Sequence, residues 1–185
     1  KTVRRQRQMC IRDRPMIILT CLASKLSNRQ VIWVEDRLEH LTAASSATGR
    51  LTKLRASINE RGLIEALDYD QIDDVGAYPR APEPASLYRM HGNLSGAYKV
   101  KNIRCRNRVV LTNKTPSGLN RGFGGPQHYF ALERLVHQIA VELDLNVLDV
   151  IKVNLLEKKQ FPYKSPSGAL LDSGDFQKLV RKVVK

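Results

Sequence analysis

The sequence predicts an α+β fold, with strands grouped in the middle of the chain and helices on either side. Alternating apolar and polar residues over 53–59, 63–69 and 103–111 are typical of strands. A glycine-rich turn follows, and then an amphipathic helical pattern runs from Leu132 to Leu143. Because strands and helices do not alternate regularly as β-α-β units, we expect mixed strands with packed amphipathic helices.

The first predicted element is a helix, followed by a short strand and a second helix. The apolar residues of the first helix recur at helical spacing, namely Leu19, Leu22, Ala23 and Leu26. This pattern predicts a helix packed on one face, which ends at Asn28. Residues 31–34 (V-I-W-V) predict a short buried strand, and residues 35–40 predict a turn into a short helix.

A β-hairpin is predicted next. Residues 53–59 and 63–69 form its strands, and residues 60–62 (E-R-G) form the turn between them. Residues 70–84 are acidic and then rich in Pro, Ala and Gly, which predicts a loop that leads toward a functional surface. A short helix is expected over 85–91.

The third predicted strand carries arginine at every second residue. One side of it presents Ile103, Cys105, Asn107, Val109 and Leu111. The other side presents Arg104, Arg106 and Arg108. A solvated or partner-facing strand edge explains this pattern. Alternating arginines could also bind a phosphate backbone, but no aromatic residues are interleaved to stack on bases.

Two further helices are predicted near the end of the chain. Asn146 and Asp149 are placed to cap a helix that continues through Val150 and Ile151. Residues 172–175 (D-S-G-D) offer caps for a last helix, whose apolar residues are Phe176, Leu179, Val180, Val183 and Val184. That pattern meets Lys185 without a stop signal, so we interpret the sequence as an internal fragment of a longer reading frame.

Composition sets the broad class of the protein. The 185 residues are 42% hydrophobic and 26% charged, as in globular proteins, and would fill one large or two small domains. The three cysteines, Cys10, Cys21 and Cys105, lie far apart, which excludes a zinc or iron-sulfur site built from this chain alone and favours reduced thiols in the cytosol. The longest apolar run, residues 16–23, is too short to cross a bilayer.

Residues 1–14 are interpreted as a non-native basic segment. They hold six cations and one anion, so they supply +5 of the net charge of +13. The string Q-M-C-I-R-D-R resembles translated sequencing-adapter DNA, and nothing in the segment matches a signal peptide. We therefore take residues 15–185 as an incomplete domain and exclude residues 1–14 from the fold.

Residues 121–127 (R-G-F-G-G-P-Q) place three glycines at the start of the long predicted helix. Gly122, Gly124 and Gly125 allow positive φ and close approach of a ligand, and a helix N-terminus offers N–H groups to an anion. Pro126 suits a first helical position. A plain tight turn has the same pattern, and the residue order differs from the dinucleotide and P-loop fingerprints, so the turn alone does not decide between the two.

Five motifs in order resemble the molybdenum-binding large subunits of the xanthine dehydrogenase and aldehyde oxidase family. They are W-V-E-D-R-L-E at 33–39, Y-K-V-K-N-I-R at 98–104, T-N-K-T-P-S-G at 112–118, R-G-F-G-G-P-Q at 121–127 and A-L-E-R at 131–134. Residues 149–156 and 161–175 are similar to the carbon monoxide dehydrogenase-like branch of this family. The resemblance implies that the fold is part of the molybdenum-cofactor-binding domain.

The resemblance assigns roles to individual residues. Arg121 matches an arginine beside the molybdenum centre, where its guanidinium would donate hydrogen bonds to the cofactor. Phe123 matches an aromatic residue that contacts the substrate, with ordinary core packing as the alternative. Arg89 matches a catalytic arginine that stabilises charge developing on the substrate, with a surface ion pair as the alternative. Further cofactor contacts are implied for Gly122, Gly124 and Gly125.

The family's chemistry is implied in the same way. The cofactor would be molybdenum-molybdopterin, either as the simple pterin or in its cytosine dinucleotide form, and the substrate an aldehyde or N-heterocycle hydroxylated with oxygen from water. Electrons would pass to iron-sulfur and FAD centres on partner subunits, in a cytoplasmic hetero-oligomer. The four histidines, His40, His91, His128 and His137, lack metal-ligand spacing and are interpreted as structural or exposed, so no protein metal ligand is expected.

Two departures from the family pattern limit the prediction. Gly122 stands where carbon monoxide dehydrogenases carry a copper-binding cysteine, so oxidation of carbon monoxide is not expected. The family's first glycine-rich loop and its glutamate base have no counterpart here, so this chain should be inactive by itself. The alternative function is a non-enzymatic basic module that binds nucleic acid, or a scaffold. Under the enzyme hypothesis no nucleic-acid partner is expected.

Overall fold

A computed structural model describes residues 15–45, 47–80, 83–118 and 122–184. Its helices are α1 (Pro15–Ser27), α2 (Arg37–Ala43), α3 (Ala85–Tyr88), α4 (Gly125–Glu142), α5 (Val147–Asn154) and α6 (Phe176–Val183). Its strands are β1 (Gly49–Ile58), β2 (Ile64–Asp74), β3 (Asn102–Val110), β4 (Tyr163–Lys164) and β5 (Leu170–Leu171). Short 3-10 turns lie at His91–Asn93 and Lys158–Gln160. The predicted α+β class is confirmed.

A three-stranded sheet in the order β1-β2-β3 forms the centre of the fold. β1 and β2 are antiparallel, whereas β2 and β3 are parallel. The predicted hairpin is confirmed. Its turn is closed by the Asn59 side chain, whose Oδ1 accepts hydrogen bonds from the backbone N–H groups of Arg61 and Leu63. β4 and β5 form a separate two-stranded antiparallel sheet.

β2 is longer than predicted. Residues 70–74 continue the strand, so the prediction of a loop beginning at residue 70 is wrong. The strand persists because residues 70–74 pair with β1 on one side and with β3 on the other, and the inward side chains of Gln71 and Asp73 are buried there. Asp73 faces Arg50 on β1 and pairs with it. Only after Asp74 does the chain leave the sheet.

The core forms between the sheet and helices α4 and α5. Its buried side chains include Ile64, Leu67, Tyr69, Val100, Leu132, Val136, Ile139 and Val150. The predicted amphipathic face of α4 therefore packs on the sheet. α5 is capped as predicted by Asn146, whose Oδ1 accepts a hydrogen bond from the Leu148 N–H. α6 is likewise capped by Asp175, whose side chain accepts from the Lys178 N–H.

The segment before the sheet differs from the prediction. α1 forms where expected and ends at Ser27, and the next residue, Asn28, has a positive φ of 49°. Its apolar side chains are exposed, however, so the expected packing on one face is wrong. Residues 31–34 form no strand, and Ile32, Trp33 and Val34 are exposed. Apolar periodicity identifies the face that could be buried, but it does not supply a strand for pairing or a surface for packing.

The two short predicted helices differ from their predicted bounds, since α2 continues past residue 40 to Ala43 whereas α3 is shorter than predicted. α2 starts at a capping box in which Asp36 and Glu39 bond to each other's backbone N–H groups. α3 covers only residues 85–88 of the predicted 85–91. Among the helices of the described residues, none is long and apolar enough to cross a membrane.

Candidate functional site

A left-handed turn leads directly into α4. Gly122, Phe123 and Gly124 have φ values of 95°, 48° and 87°, and the helix starts at Gly125 with a proline in its first turn, as predicted. The Gly125 N–H donates to the Gly122 carbonyl at 2.8 Å. The positive end of an 18-residue helix is therefore held at this turn. Arg121, the predicted cofactor contact, lies outside the described residues.

The glycines of the turn serve different purposes. Gly124 is buried against α3, and a Cβ on it would lie 1.8 Å from the Ser86 carbonyl oxygen. Gly122 is exposed, and a Cβ on it would lie 2.7 Å from the Pro126 ring. Only a residue without a side chain fits at Gly124, so close packing explains that glycine. Of the two, Gly122 is the one that leaves backbone open to a ligand.

The structure brings the two predicted substrate residues together. The Arg89 guanidinium carbon lies 4.7 Å from the centre of the Phe123 ring, in a cation-π contact. Arg89 is exposed at the end of α3, and Phe123 is half-buried in the glycine turn. A cation and an aromatic ring thus stand at one surface beside the N-terminus of α4. The partner of Arg89 in this contact is an aromatic ring and not the carboxylate of a surface ion pair.

A buried polar cluster lies beneath this surface, and the sequence did not predict it. We define it by five residues: Thr48, Arg50, Asp73, Glu83 and Ser86. Arg50 Nε and Nη2 donate to the two carboxylate oxygens of Asp73 at 2.5 and 2.8 Å, and Nη2 also donates to the Ser86 carbonyl at 3.0 Å. The Ser86 hydroxyl donates to Glu83 Oε2 at 2.6 Å. Thr48 Oγ1 lies 3.0 Å from Ser86 Oγ.

The first turn of α4 adds two polar side chains to this region. Gln127 Nε2 donates to the Thr48 carbonyl at 3.4 Å, while its buried Oε1 has no partner within the described ranges. His128 is buried between two tyrosine rings, with centroid distances of 5.5 Å to Tyr69 and 5.2 Å to Tyr129. Burial lowers the pKa of His128 to about 4, so it is neutral at physiological pH. This agrees with its interpretation as structural.

The arginines of β3 are held by aspartates of the adjacent strand. Arg104 pairs with Asp68 at 2.6 Å, and Arg108 pairs with Asp70 at 2.7 Å. Hydrogen bonds from Arg104 and then Arg55 hold the pKa of Asp68 far below its ordinary value. Asp68 and Asp70 lower the net positive charge of this sheet face, because they lie among its arginines. This sheet face does not support the nucleic-acid alternative.

In the part of the chain that the structure describes, no group of three or more His, Cys, Asp or Glu residues could hold a metal ion.

Comparison with known proteins decides the family. The model of the molybdopterin cofactor-binding domain family matches residues 11–155. The chain belongs to this family. The predicted resemblance to the large subunits of xanthine dehydrogenases and carbon monoxide dehydrogenases is confirmed with it.

Curated members of the family are similar to this molybdopterin-binding chain over most of its length. The carbon monoxide dehydrogenase large chain of Hydrogenophaga pseudoflava is 28% identical over 176 residues, which is 92% of this chain and 22% of that protein. The 6-hydroxypseudooxynicotine dehydrogenase complex subunit gamma of Paenarthrobacter nicotinovorans is 30% identical over 80% of this chain and 19% of its own length. The chain thus spans about a fifth of the length of these relatives.

A solved structure shows the same fold. Quinoline 2-oxidoreductase from Pseudomonas putida 86 superposes with a TM-score of 0.83 and 29% identity, over 91% of this chain and 22% of that one. The match includes most of the molybdopterin-binding fold described above.

The turn fits a molybdopterin. Gly122 leaves backbone accessible, α4 directs its positive end at the turn, and the buried Gln127 Oε1 is an acceptor that still lacks a donor in the described chain. A pterin ring is rich in N–H donors, and its phosphate is an anion suited to a helix N-terminus. The groups with which this chain could hold the cofactor are therefore the exposed Gly122 backbone, the N-terminus of α4 and Gln127 Oε1. Gly124 and Gly125 are buried, and their contact with the cofactor stays a prediction.

Proposed function

We propose that this chain forms part of the molybdenum-cofactor site in the large subunit of a molybdenum hydroxylase, an oxidoreductase. The observation that carries the proposal is the Arg89–Phe123 pair, which stands beside the glycine turn at the N-terminus of α4. A cation and an aromatic face next to the cofactor site are what binding and polarising an aromatic substrate requires.

The side chains are assigned separate tasks. Phe123 packs against the substrate ring and orients it. Arg89 is the proposed catalytic residue, because its N–H groups can donate to a substrate atom that gains negative charge during oxidation. Arg121 is proposed to donate to the cofactor, with Gly122, Gly124 and Gly125 shaping the backbone around it. When bound, the molybdenum cofactor would supply the two-electron chemistry that hydroxylates the substrate with oxygen from water.

We propose an N-heterocycle or an aldehyde as the substrate. Similar proteins are named nicotine 6-hydroxylase large subunit and nicotinate dehydrogenase large molybdopterin subunit, and the superposed structure is quinoline 2-oxidoreductase. These names favour the heterocycle. Carbon monoxide is not proposed, because Gly122 carries no side chain with which to bind copper.

Partners and location are proposed on the same basis. Two relatives are named as a large chain and as a subunit of a complex, which supports a hetero-oligomer with iron-sulfur and FAD subunits. The pterin would be the simple form or its cytosine dinucleotide, and the complex would be cytoplasmic.

The experiment is to produce the complete large subunit with its partner subunits in a host that makes molybdenum cofactor. Molybdenum and pterin content are measured, and N-heterocycle hydroxylation is followed in ¹⁸O-labelled water. We expect stoichiometric metal and label in the product. Replacing Arg89 with Met should lower kcat/KM by roughly 10²–10³ while leaving the metal content unchanged, because it removes a donor to developing charge.

Arg134 provides the matched control, since it is an exposed arginine on α4. Arg134→Met should leave kcat/KM unchanged, and Arg121→Ala should lower the molybdenum content. A metal-free complex, or unlabelled product, would overturn the proposal.

A further inference from the structure

We propose that Arg50 is a positioning residue, which holds the Ser86 carbonyl in place and thereby sets Arg89 opposite Phe123. The effect of Arg50 on catalysis rests on the proposed function, whereas its effect on the positions of Ser86, Arg89 and Phe123 does not. Arg50 touches neither Arg89 nor Phe123. It acts on both through α3 and the glycine turn.

Arg50 and Asp73 form a buried ion pair with a fixed geometry. The two residues are opposite each other in the register of β1 and β2, and their side chains are only 2% and 0% exposed. Two parallel hydrogen bonds at 2.5 and 2.8 Å fix the guanidinium plane. The second N–H of Nη2 then has a fixed direction, and it donates to the Ser86 carbonyl at 3.0 Å.

That carbonyl is where α3 and the glycine turn meet. Ser86 lies in α3, three residues before Arg89. A Cβ on Gly124 would lie 1.8 Å from the Ser86 carbonyl oxygen, so the turn rests directly on this atom. A shift of Ser86 would therefore move Arg89 and displace the turn that carries Phe123. One hydrogen bond from β1 fixes both sides of the Arg89–Phe123 contact.

The remaining residues of the buried polar cluster hold Ser86 from its other side. Glu83 Oε2 accepts from the Ser86 hydroxyl at 2.6 Å and from the Ser86 N–H at 3.2 Å. Thr48 Oγ1 donates to Glu83 Oε1 at 3.3 Å, and the Thr48 carbonyl accepts from Gln127 on α4 at 3.4 Å. The cluster thus joins β1, α3 and α4 at a single point.

Stability alone does not explain this arrangement. A buried ion pair is expensive to desolvate, and apolar residues of the same volume often give an equally stable fold. The arginine fork is needed because it serves two carboxylate oxygens and a carbonyl in one plane. Lysine offers a point charge that can stay with Asp73 but cannot keep this planar geometry.

The test is amide hydrogen exchange in the full chain carrying Arg50→Lys. The reporters are the N–H groups of Arg89, Gly125 and His128, which donate to Ala85, Gly122 and Gly124. We expect their exchange to quicken by about tenfold, as loss of a hydrogen bond from a charged group implies. Exchange at the Leu156 N–H, which donates to Ala97 in the core, should not change.

Arg55→Lys is the matched control. Arg55 pairs with Asp68 across the same two strands, but its side chain is exposed. Arg55→Lys should leave hydrogen exchange at all four amides unchanged. If Arg50→Lys fails to fold, Thr48→Val carries the test, since it removes only the hydroxyl contacts to Glu83 and Ser86. It should quicken exchange at the same three reporters.

Exchange that rises equally at every amide, or at none of the reporters, would overturn the inference. In the complete enzyme, Arg50→Lys should lower kcat/KM with unchanged molybdenum content, and it should cause little further loss when Arg89 is already Met. Equal losses in both backgrounds would also overturn it. A complex without molybdenum would overturn the proposed function alone, because the exchange result does not depend on the cofactor.

Discussion

Gly124 shows how one residue type decides whether the turn can form. Its φ of 87° is unfavourable for any residue with a Cβ, and that Cβ would collide with the Ser86 carbonyl at 1.8 Å. We expect Gly124→Ala to lower the free energy of unfolding by more than the 1–2 kcal/mol that is roughly typical of left-handed backbone strain. Denaturant titration would measure the change.

Gly168→Ala separates strain from collision in that prediction. Gly168 also has a positive φ, of 105°, but nothing lies within 4 Å of where its Cβ would be. Gly168→Ala should therefore lower the free energy of unfolding by the backbone strain alone. Equal losses for the two variants would mean that α3 can move away from the turn without cost.

His128 predicts how stability depends on pH. Its pKa falls from 6.5 to about 4 on folding because the ring is buried. Between these values the unfolded chain binds more protons than the folded chain, so the free energy of unfolding falls as pH drops from 6.5 toward 4. The contribution is at most about 3 kcal/mol. Denaturant titrations at several pH values should give a flatter profile for His128→Phe.

The exposed His137 provides the control, because His137→Gln should keep the wild-type profile. A His128→Phe profile that is as steep as wild type would assign the pH dependence to other groups.

At the residue scale, the sequence singled out Arg89, Phe123 and the glycines, but not the buried polar cluster beneath them. Arg89, Phe123 and the glycines were identified from motifs, and the structure places Arg89 over Phe123. Arg50 and Asp73 were missed because each looks like an ordinary surface charge in the sequence. Their pairing depends on a hairpin register that extends beyond the predicted strands, through a stretch whose acidic composition indicated a loop.

At the scale of helices and strands, predictions held where the apolar face of the element is buried by the fold. α4 and the hairpin were predicted because their apolar periodicity matches a face that the fold buries. α1 has an equally clear apolar pattern, yet its face is exposed in the described structure. Periodicity therefore reports what a segment can bury, and only tertiary contacts determine what it does bury.

α4 carries the prediction at this scale. Leu132 is 1% exposed and packs into the core, so Leu132→Ala should lower the free energy of unfolding by about 2–5 kcal/mol. Val141 lies on the same helix at 80% exposure, and Val141→Ala should change the free energy of unfolding by less than about 0.5 kcal/mol. Thermal or denaturant unfolding distinguishes them. Similar losses would contradict the assignment of the buried face.

At the scale of the whole molecule, motif order was the strongest signal in the sequence. The five motifs predicted the family, and the family model covers residues 11–155. Substrate and partners do not follow as directly, because this chain corresponds to about a fifth of its relatives. Charge was the weaker guide, since the net +13 does not say which cations are already paired.

That distribution of charge predicts how the chain behaves with nucleic acid. Arg104, Arg106 and Arg108 lie beside Asp68 and Asp70, so most of the affinity for duplex DNA should come from residues 1–14. Deleting that segment should weaken binding and flatten the slope of log affinity against log salt by about 0.9 for each phosphate that the segment neutralises. Fluorescence anisotropy with labelled DNA at several salt concentrations measures both. Replacing the three arginines with Gln is the control, and it should change little. If the replacement abolishes binding while the deletion leaves it intact, the sheet face is a nucleic-acid surface and the enzyme proposal loses its advantage over the alternative.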